Sequence, residues 1–303
     1  MAKKLINTGV IINVIGGLLS IMGILMLTSI GFTIYYDEPL YPIITSSLIT
    51  LSIGAGLKYF TRSSKDAEIK KRDGYLIVTL SWLCMALFAT LPYLLSGTIP
   101  GITNAFFESM SGLSTTGASI LDDIESLPKG ILFWRSMTQW LGGMGIIVLT
   151  IAILPMLGIG GMELFVAEAP GPTKDKIHPR IKETAKRLWI IYLALTIVEA
   201  VILMFGGMSF FDAINHSLTT NSTGGFSTKQ DSIAFFDSPF IEYVIVIFMF
   251  LSGTNFTLLY FMLKGKFKNI LKNDEFKWYL SAVIGLVIIL TPIVYFYTKS
   301  ESF

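Results

Sequence analysis

The sequence predicts an all-α membrane protein built of repeated units, each a long helix, a short helix that ends inside the membrane, a polar loop and a second long helix. Three observations predict it. Apolar stretches long enough to cross a bilayer recur along the chain, two shorter segments between them cannot cross, and those two segments have matching sequences and surroundings.

Of the 303 residues, 52% are apolar and 15% charged, and mean hydropathy is +0.66. A soluble domain carries about 25% charged residues, so the deficit points to lipid as the solvent. Crossing a hydrocarbon core takes ~20 apolar residues. Stretches 5–34, 40–60, 74–95, 130–164, 188–208, 240–263 and 278–297 all meet that length. The first follows Lys3 and Lys4 but runs well past the roughly 7 to 15 apolar residues of a secretory signal, and reads as a retained helix. The single Cys84 sits in an apolar stretch and reads as a packing thiol.

Charge sets the predicted topology. Of 23 Lys and Arg, 19 fall in four clusters: Lys3 and Lys4, Lys58 to Arg72, Lys174 to Arg187, and Lys264 to Lys277. Basic loops favour the cytoplasmic side, which places the N-terminus there. The intervening segments carry Asp37 and Glu38, then Asp122, Asp123 and Glu125, then Asp231 and Asp237, and are expected outside. An even number of crossings must then separate successive basic clusters. Residues 101–113 and 209–220 are too short to span at about 1.5 Å per residue, so each is expected to enter from outside, stop midway and return.

The two regions form an internal repeat with an offset of 107 to 110 residues. Ala105, Ser109, Met110 and Ser111 match Ala213, Ser217, Leu218 and Thr219. After a one-residue gap, Ser114-Thr115-Thr116-Gly117 matches Asn221-Ser222-Thr223-Gly224, and Leu141 and Gly143 match Leu251 and Gly253. The expected organisation is an N-terminal two-helix hairpin and loop (1–73), a first unit (74–175, short helix 101–113, loop 114–119), a second unit (176–272, short helix 209–220, loop 221–227), and the first helix of a third, incomplete unit (273–303).

Irregular backbone at membrane depth survives only where protein buries it or water reaches it. The two glycine-centred loops therefore need a polar purpose. Glycine permits backbone angles that align successive carbonyls, and a row of such oxygens replaces the water shell of a permeating cation. The C-terminal end of a short helix aimed at each loop adds roughly half a negative charge. No carboxylate lies within either loop, which suits a monovalent ion better than magnesium. The plain alternative is that these small residues only end short helices or allow close packing. The repetition in register favours an ion path.

Ser-Gly-Leu-Ser-Thr-Thr-Gly-Ala-Ser (111–119), Trp-Leu-Gly-Gly-Met-Gly-Ile (140–146), Ala-Glu-Ala-Pro-Gly-Pro (167–172), Pro-Arg-Ile-Lys-Glu-Thr-Ala-Lys (179–186) and Asn-Ser-Thr-Gly-Gly-Phe-Ser-Thr (221–228) resemble the TrkH branch of the Trk/Ktr/HKT potassium transporters. The resemblance runs along essentially the whole chain. It implies a potassium-channel-like fold of four such units around one pore, with K+ as the transported ion and no bound cofactor. It also implies a homodimer, a cytosolic nucleotide-binding regulatory subunit of the TrkA type, and a multi-pass location in the cell membrane. Thr115, Thr116 and Gly117 would form one filter stretch and Ser222, Thr223 and Gly224 another, flanked by Ser114, Ala118, Asn221 and Gly225. The third and fourth stretches and the family's intramembrane gate have no counterpart, so the sequence is expected to stop within the third unit and not to conduct by itself.

Other readings are weaker. An alternating-access carrier of a small solute can also use repeats and broken helices, but both units here start on the same side. An enzyme lacks support: no H-E-x-x-H, G-x-S-x-G or P-loop motif occurs, and the two histidines are His178 and His216. No nucleic-acid partner is expected. Glu199 lies mid-crossing, where a charge costs ~3 kcal/mol on insertion scales and is by default a functional candidate; protonation or pairing within the bundle is the preferred reading, since nothing in the sequence places it at the loops. Glu108 and His216 hold matching positions and are expected to hydrogen-bond behind the loops, with Asp212 as a helix cap. Gly142, Gly143, Gly145, Gly158, Gly160 and Gly161 are expected to serve close packing and Pro155 a static bend. The basic segment 174–187 orients the chain, and docking a partner there rests on the resemblance alone.

Overall fold

The computed structural model describes residues 6–62, 71–157 and 181–301. Lys3 and Lys4, most of the basic segment from 174, the 167–172 motif, His178, Gly158, Gly160 and Gly161 lie outside the described residues. Every regular element among the described residues is helical. Among these residues five stretches, Thr8–Tyr35, Tyr41–Phe60, Arg72–Ser96, Lys186–Phe205 and Asp274–Tyr297, are long and apolar enough to cross a bilayer.

Helix α1 (Thr8–Met26) continues through a tight turn (Leu27–Ser29) into α2 (Ile30–Tyr35), and α3 (Tyr41–Phe60) returns alongside. Small residues bring α1 and α3 together, as is usual where lipid removes any hydrophobic drive between helices. A Cβ on Gly54 would lie 2.8 Å from the Gly16 carbonyl oxygen, and Ser47 Oγ donates to the Gly23 carbonyl at 2.7 Å. Around this crossing Val10, Leu19, Met22, Met26 and Ile43 are buried.

An acidic side chain helps to tie the hairpin to the next unit. The Glu38 carboxylate accepts from the backbone N–H of Lys129 at 2.5 Å and of Gly130 at 2.9 Å, at the start of α7 (Lys129–Leu157). The first N–H groups of a helix lack internal partners, and an anion there also meets the positive end of the helix dipole. Replacing Glu38 by alanine is expected to cost about 1–2 kcal/mol, read as a lower thermal midpoint of the purified protein in detergent. An unchanged midpoint would show that solvent serves those N–H groups equally well.

Between hairpin and α7 run α4 (Lys71–Ala89), α5 (Leu91–Ser96) and the short α6 (Ile102–Leu113). Cys84 in α4 is half-buried and free. The indole of Trp134, wholly buried, donates to the Ala89 carbonyl where α4 meets α5. The second unit follows the same order: α8 (Ile181–Phe205), short α9 (Phe210–Asn221), a loop, and α10 (Pro239–Ser252). A large apolar cluster joins the hairpin to α4, α6, α7 and α8, and a smaller one around Leu203, Met208, Ala213, Ile241 and Phe248 holds the second unit together.

One expectation is corrected here. Stretch 240–263 is not one helix: α10 stops at Ser252 and α11 (Phe256–Leu263) starts afresh. Gly253 and Asn255 are poor helix formers, and partners fill the break. The Asn255 amide donates to Glu275 at 3.2 Å, and Tyr279 Oη donates to the Phe250 carbonyl at 3.2 Å. Both come from α13 (Asp274–Glu301), which follows the short α12 (Phe267–Leu271).

Candidate functional site

The two short helices deliver two loops to one place. In α9 the N-terminus is set by Ser209, whose Oγ accepts the Asp212 N–H at 3.1 Å and donates to the Asp212 carboxylate at 2.7 Å. Ser209 is thus the cap and Asp212 its partner three residues on, where sequence reasoning had assigned the cap to Asp212. Asp212 also accepts from Thr228 Oγ1 at 2.6 Å, which ties the start of the helix to the far end of its loop.

The loops share one backbone path. After α6, Ser114, Thr115 and Thr116 donate to the carbonyls of Met110, Gly112 and Ser111; after α9, Ser222, Thr223 and Gly224 donate to Leu218, Thr220 and Thr219. Positive φ falls on Thr115 (55°) and Gly117 (77°) in the first loop and on Thr223 (57°) and Gly225 (80°) in the second. Each pair is 108 residues apart, as are the short helices, so the one-residue gap inferred from the sequence is absent. Gly117 corresponds to Gly225, and Thr116 to Gly224. The gap arose from pairing the only glycine of the first loop with the first of two adjacent glycines in the second. A β-branched residue at positive φ is rare and costs ~1–3 kcal/mol, and both loops hold one at the same place.

The loops touch. The Gly224 carbonyl oxygen occupies the space that a Cβ on Gly117 would fill, and a Cβ on Gly224 would run into the side-chain amide of Gln139. Ser114, Thr116 and Ala118 are exposed, as are Thr223 and Gly225, whereas Asn221, Ser222 and Gly224 are buried. Hydroxyls brace the turns: Ser114 Oγ lies 2.8 Å from Thr116 Oγ1, Ser111 Oγ donates to the Ala118 carbonyl at 2.5 Å, and Ser222 Oγ donates to the Thr219 carbonyl at 3.0 Å. From behind, Gly142 packs on the Leu113 carbonyl and Gly143 against Ser222 and the Tyr192 hydroxyl. Gly145 packs against Trp82. Close packing is thus the role of these three glycines. Helix α7 itself runs through Pro155 to Leu157.

Equivalent residues behind the loops do related work with different chemistry. Glu108 accepts from Ser119 Oγ at 3.0 Å, from the Ile120 N–H at 3.1 Å and from Arg135 Nε at 2.7 Å. At the equivalent place in the second unit, His216 Nδ1 donates to the Asp212 carbonyl at 2.8 Å and Nε2 lies 3.1 Å from Ser227 Oγ. Ser119 and Ser227 are themselves 108 residues apart. Arg135 crosses between units: its Nη1 donates to the Ser227 carbonyl at 3.0 Å and its guanidinium stacks 3.6 Å from the centre of the Phe226 ring. Glu108 and Arg135 are 0% and 2% exposed.

Glu199 is paired, as expected, but not away from the loops. It accepts from the Asn221 amide at 2.5 Å, and Asn221 in turn accepts from Ser252 Oγ at 3.0 Å. Asn221 ends α9, so the carboxylate braces the entry to the second loop. Among the described residues no cluster of His, Cys, Asp or Glu could hold a metal ion. What the loops offer an ion is backbone and hydroxyl oxygen.

Known proteins resemble this chain in sequence and fold. The family described as TrkH, cation transport protein, matches residues 41–295. The chain belongs to the TrkH family. The Trk system potassium uptake protein TrkH of Salmonella typhimurium is 46% identical over 292 residues, covering 94% of this chain and 60% of that protein. The Trk system potassium uptake protein TrkG of Escherichia coli K12 is 36% identical over 284 residues, covering 92% and 58%. The crystal structure of the potassium transporter TrkH from Vibrio parahaemolyticus superposes with a TM-score of 0.81 at 40% identity, covering 93% of this chain and 58% of that one. The chain thus spans 52% to 60% of the length of the curated TrkH relatives.

Two residues that organise this TrkH-family site, Arg135 and Gln139, escaped sequence reasoning. The signal for Arg135 was present. A charge within an apolar stretch is by default a candidate, and Arg135 lies within 130–164 as Glu199 lies within 188–208. Gln139 gave no comparable signal.

Proposed function

We propose that this chain forms part of the ion path of a potassium uptake transporter of the Trk type, with Thr115, Thr116 and Gly117 lining one side of a filter and Thr223, Gly224 and Gly225, entered from Ser222, an adjacent one. Two loops with matched backbone angles that meet at Gly117 and Gly224 are the observation that carries this reading. Each follows a short helix whose C-terminal end, with its partial negative charge, faces the loop. Carbonyl and hydroxyl oxygens then replace the hydration shell of K+. Ser114, Ala118 and Asn221 hold the ends of the two stretches. The remaining walls come from further units of the same kind, in an assembly that is a homodimer in the plasma membrane, with the N-terminus in the cytoplasm and a cytosolic nucleotide-binding subunit as regulator.

The 46% identity to a potassium uptake protein supports K+ as the ion. The test is 86Rb+ or K+ uptake by the intact transporter in proteoliposomes or in cells stripped of their own uptake systems. Flux down the potassium gradient, above that of empty vesicles and without exchange of an organic solute, is expected. Its absence would remove the proposal.

A further inference from the structure

Helix α7 places a side chain against the second loop, beside the point where the two loops meet. Gln139 is 0% exposed. Its Oε1 accepts the Phe226 N–H at 3.0 Å, just after the glycine pair of the second loop. The face of its amide rests on the Gly224 α-carbon, where a Cβ would stand 2.5 Å from Oε1 and 2.6 Å from Nε2. On the other side, Nε2 lies 3.8 Å from the place a Gly117 Cβ would take. That nitrogen is buried and has no hydrogen-bond partner among the described residues. An amide is a costly choice for mere filling, since a buried donor left unmatched is penalised where an apolar side chain of the same shape would not be.

One turn earlier on the same face, Arg135 grips the next stretch of the same loop through Ser227 and Phe226. The second loop is thus shaped by a helix of the first unit. At the offset of 110 relating Leu141 and Gly143 to Leu251 and Gly253, the second unit has Ile245 and Met249 in place of Arg135 and Gln139.

We propose that Gln139 is a positioning residue for ion selection: its amide fixes the distance and register between the Gly117 and Gly224 backbones, and so sets the size of the oxygen cage. This deepens the potassium-path reading and rests on it. A cage held a fraction of an ångström too loosely still passes ions but distinguishes them less well, so the diagnostic quantity is a ratio and not a rate.

The experiment measures K+ and Na+ flux through the intact transporter in proteoliposomes for wild type, Gln139→Leu and Gln139→Glu, with thermal midpoints in parallel. Leucine removes both polar atoms at similar volume; glutamate keeps an acceptor for the Phe226 N–H and replaces only Nε2. Both are expected to sustain flux while the K+/Na+ ratio falls by about tenfold or more. A wild-type ratio in a folded Gln139→Leu protein would overturn the proposal. So would a wild-type ratio in Gln139→Glu if the leucine variant does not fold. Failure of the potassium-path reading itself would appear separately, as wild-type protein that carries no K+ at all.

Discussion

Gly117→Ala is expected to cut potassium uptake by the intact transporter about 100-fold, more than alanine at either glycine of the second loop. Gly117 combines two demands. Its φ of +77° disfavours any L side chain, at ~1–2 kcal/mol, and a Cβ would strike the Gly224 carbonyl, a backbone atom that cannot swing aside. Together these reach roughly 3 kcal/mol, or about two decades. Gly224 faces only the Gln139 side chain, which can shift, so Gly224→Ala should lose about tenfold. Gly225 has φ of +80° but open space where a Cβ would stand, so its alanine variant should lose least. Uptake at matched membrane abundance checks the order. If Gly225→Ala were the most damaging, contact between the loops would not be what the glycines protect.

The second large effect is on stability. Arg135→Ala leaves the buried Glu108 carboxylate with only Ser119 and Ile120 as partners. Breaking one side of a buried ion pair costs about 3–5 kcal/mol, whereas replacing both partners by apolar residues is often close to neutral. Arg135→Ala should therefore lower the thermal midpoint strongly, and the double variant Glu108→Leu, Arg135→Met should recover most of the loss. Phe226→Leu isolates the stacking contribution, expected at about 2 kcal/mol for a desolvated pair. A midpoint for Arg135→Ala within a degree or two of wild type would mean that the guanidinium does not hold the two units together.

Much of this was legible in the sequence, for a physical reason. Segments 101–113 and 209–220 announced themselves by being too short to span, and the structure has helices at Ile102–Leu113 and Phe210–Asn221. Lipid leaves backbone few choices, so length alone is informative there. Register was harder. Residue types suggested a gap that backbone angles remove, because adjacent glycines look alike on paper and differ only in φ. Pairings across the fold were invisible: nothing in the order of residues says that Glu38 reaches α7, that Arg135 reaches Ser227, or that Glu199 meets Asn221. The break at Gly253 was hidden because hydropathy averages over a window and does not see a missing turn.

No residue of α13 from Asp274 to Tyr297 is buried, and its first turns reach the interrupted stretch through Glu275, Phe276 and Tyr279. Its pose in the bilayer is dictated by its neighbours and by membrane thickness, and the Asn255 and Tyr279 contacts would carry any such tilt straight to the interrupted stretch beside the second loop.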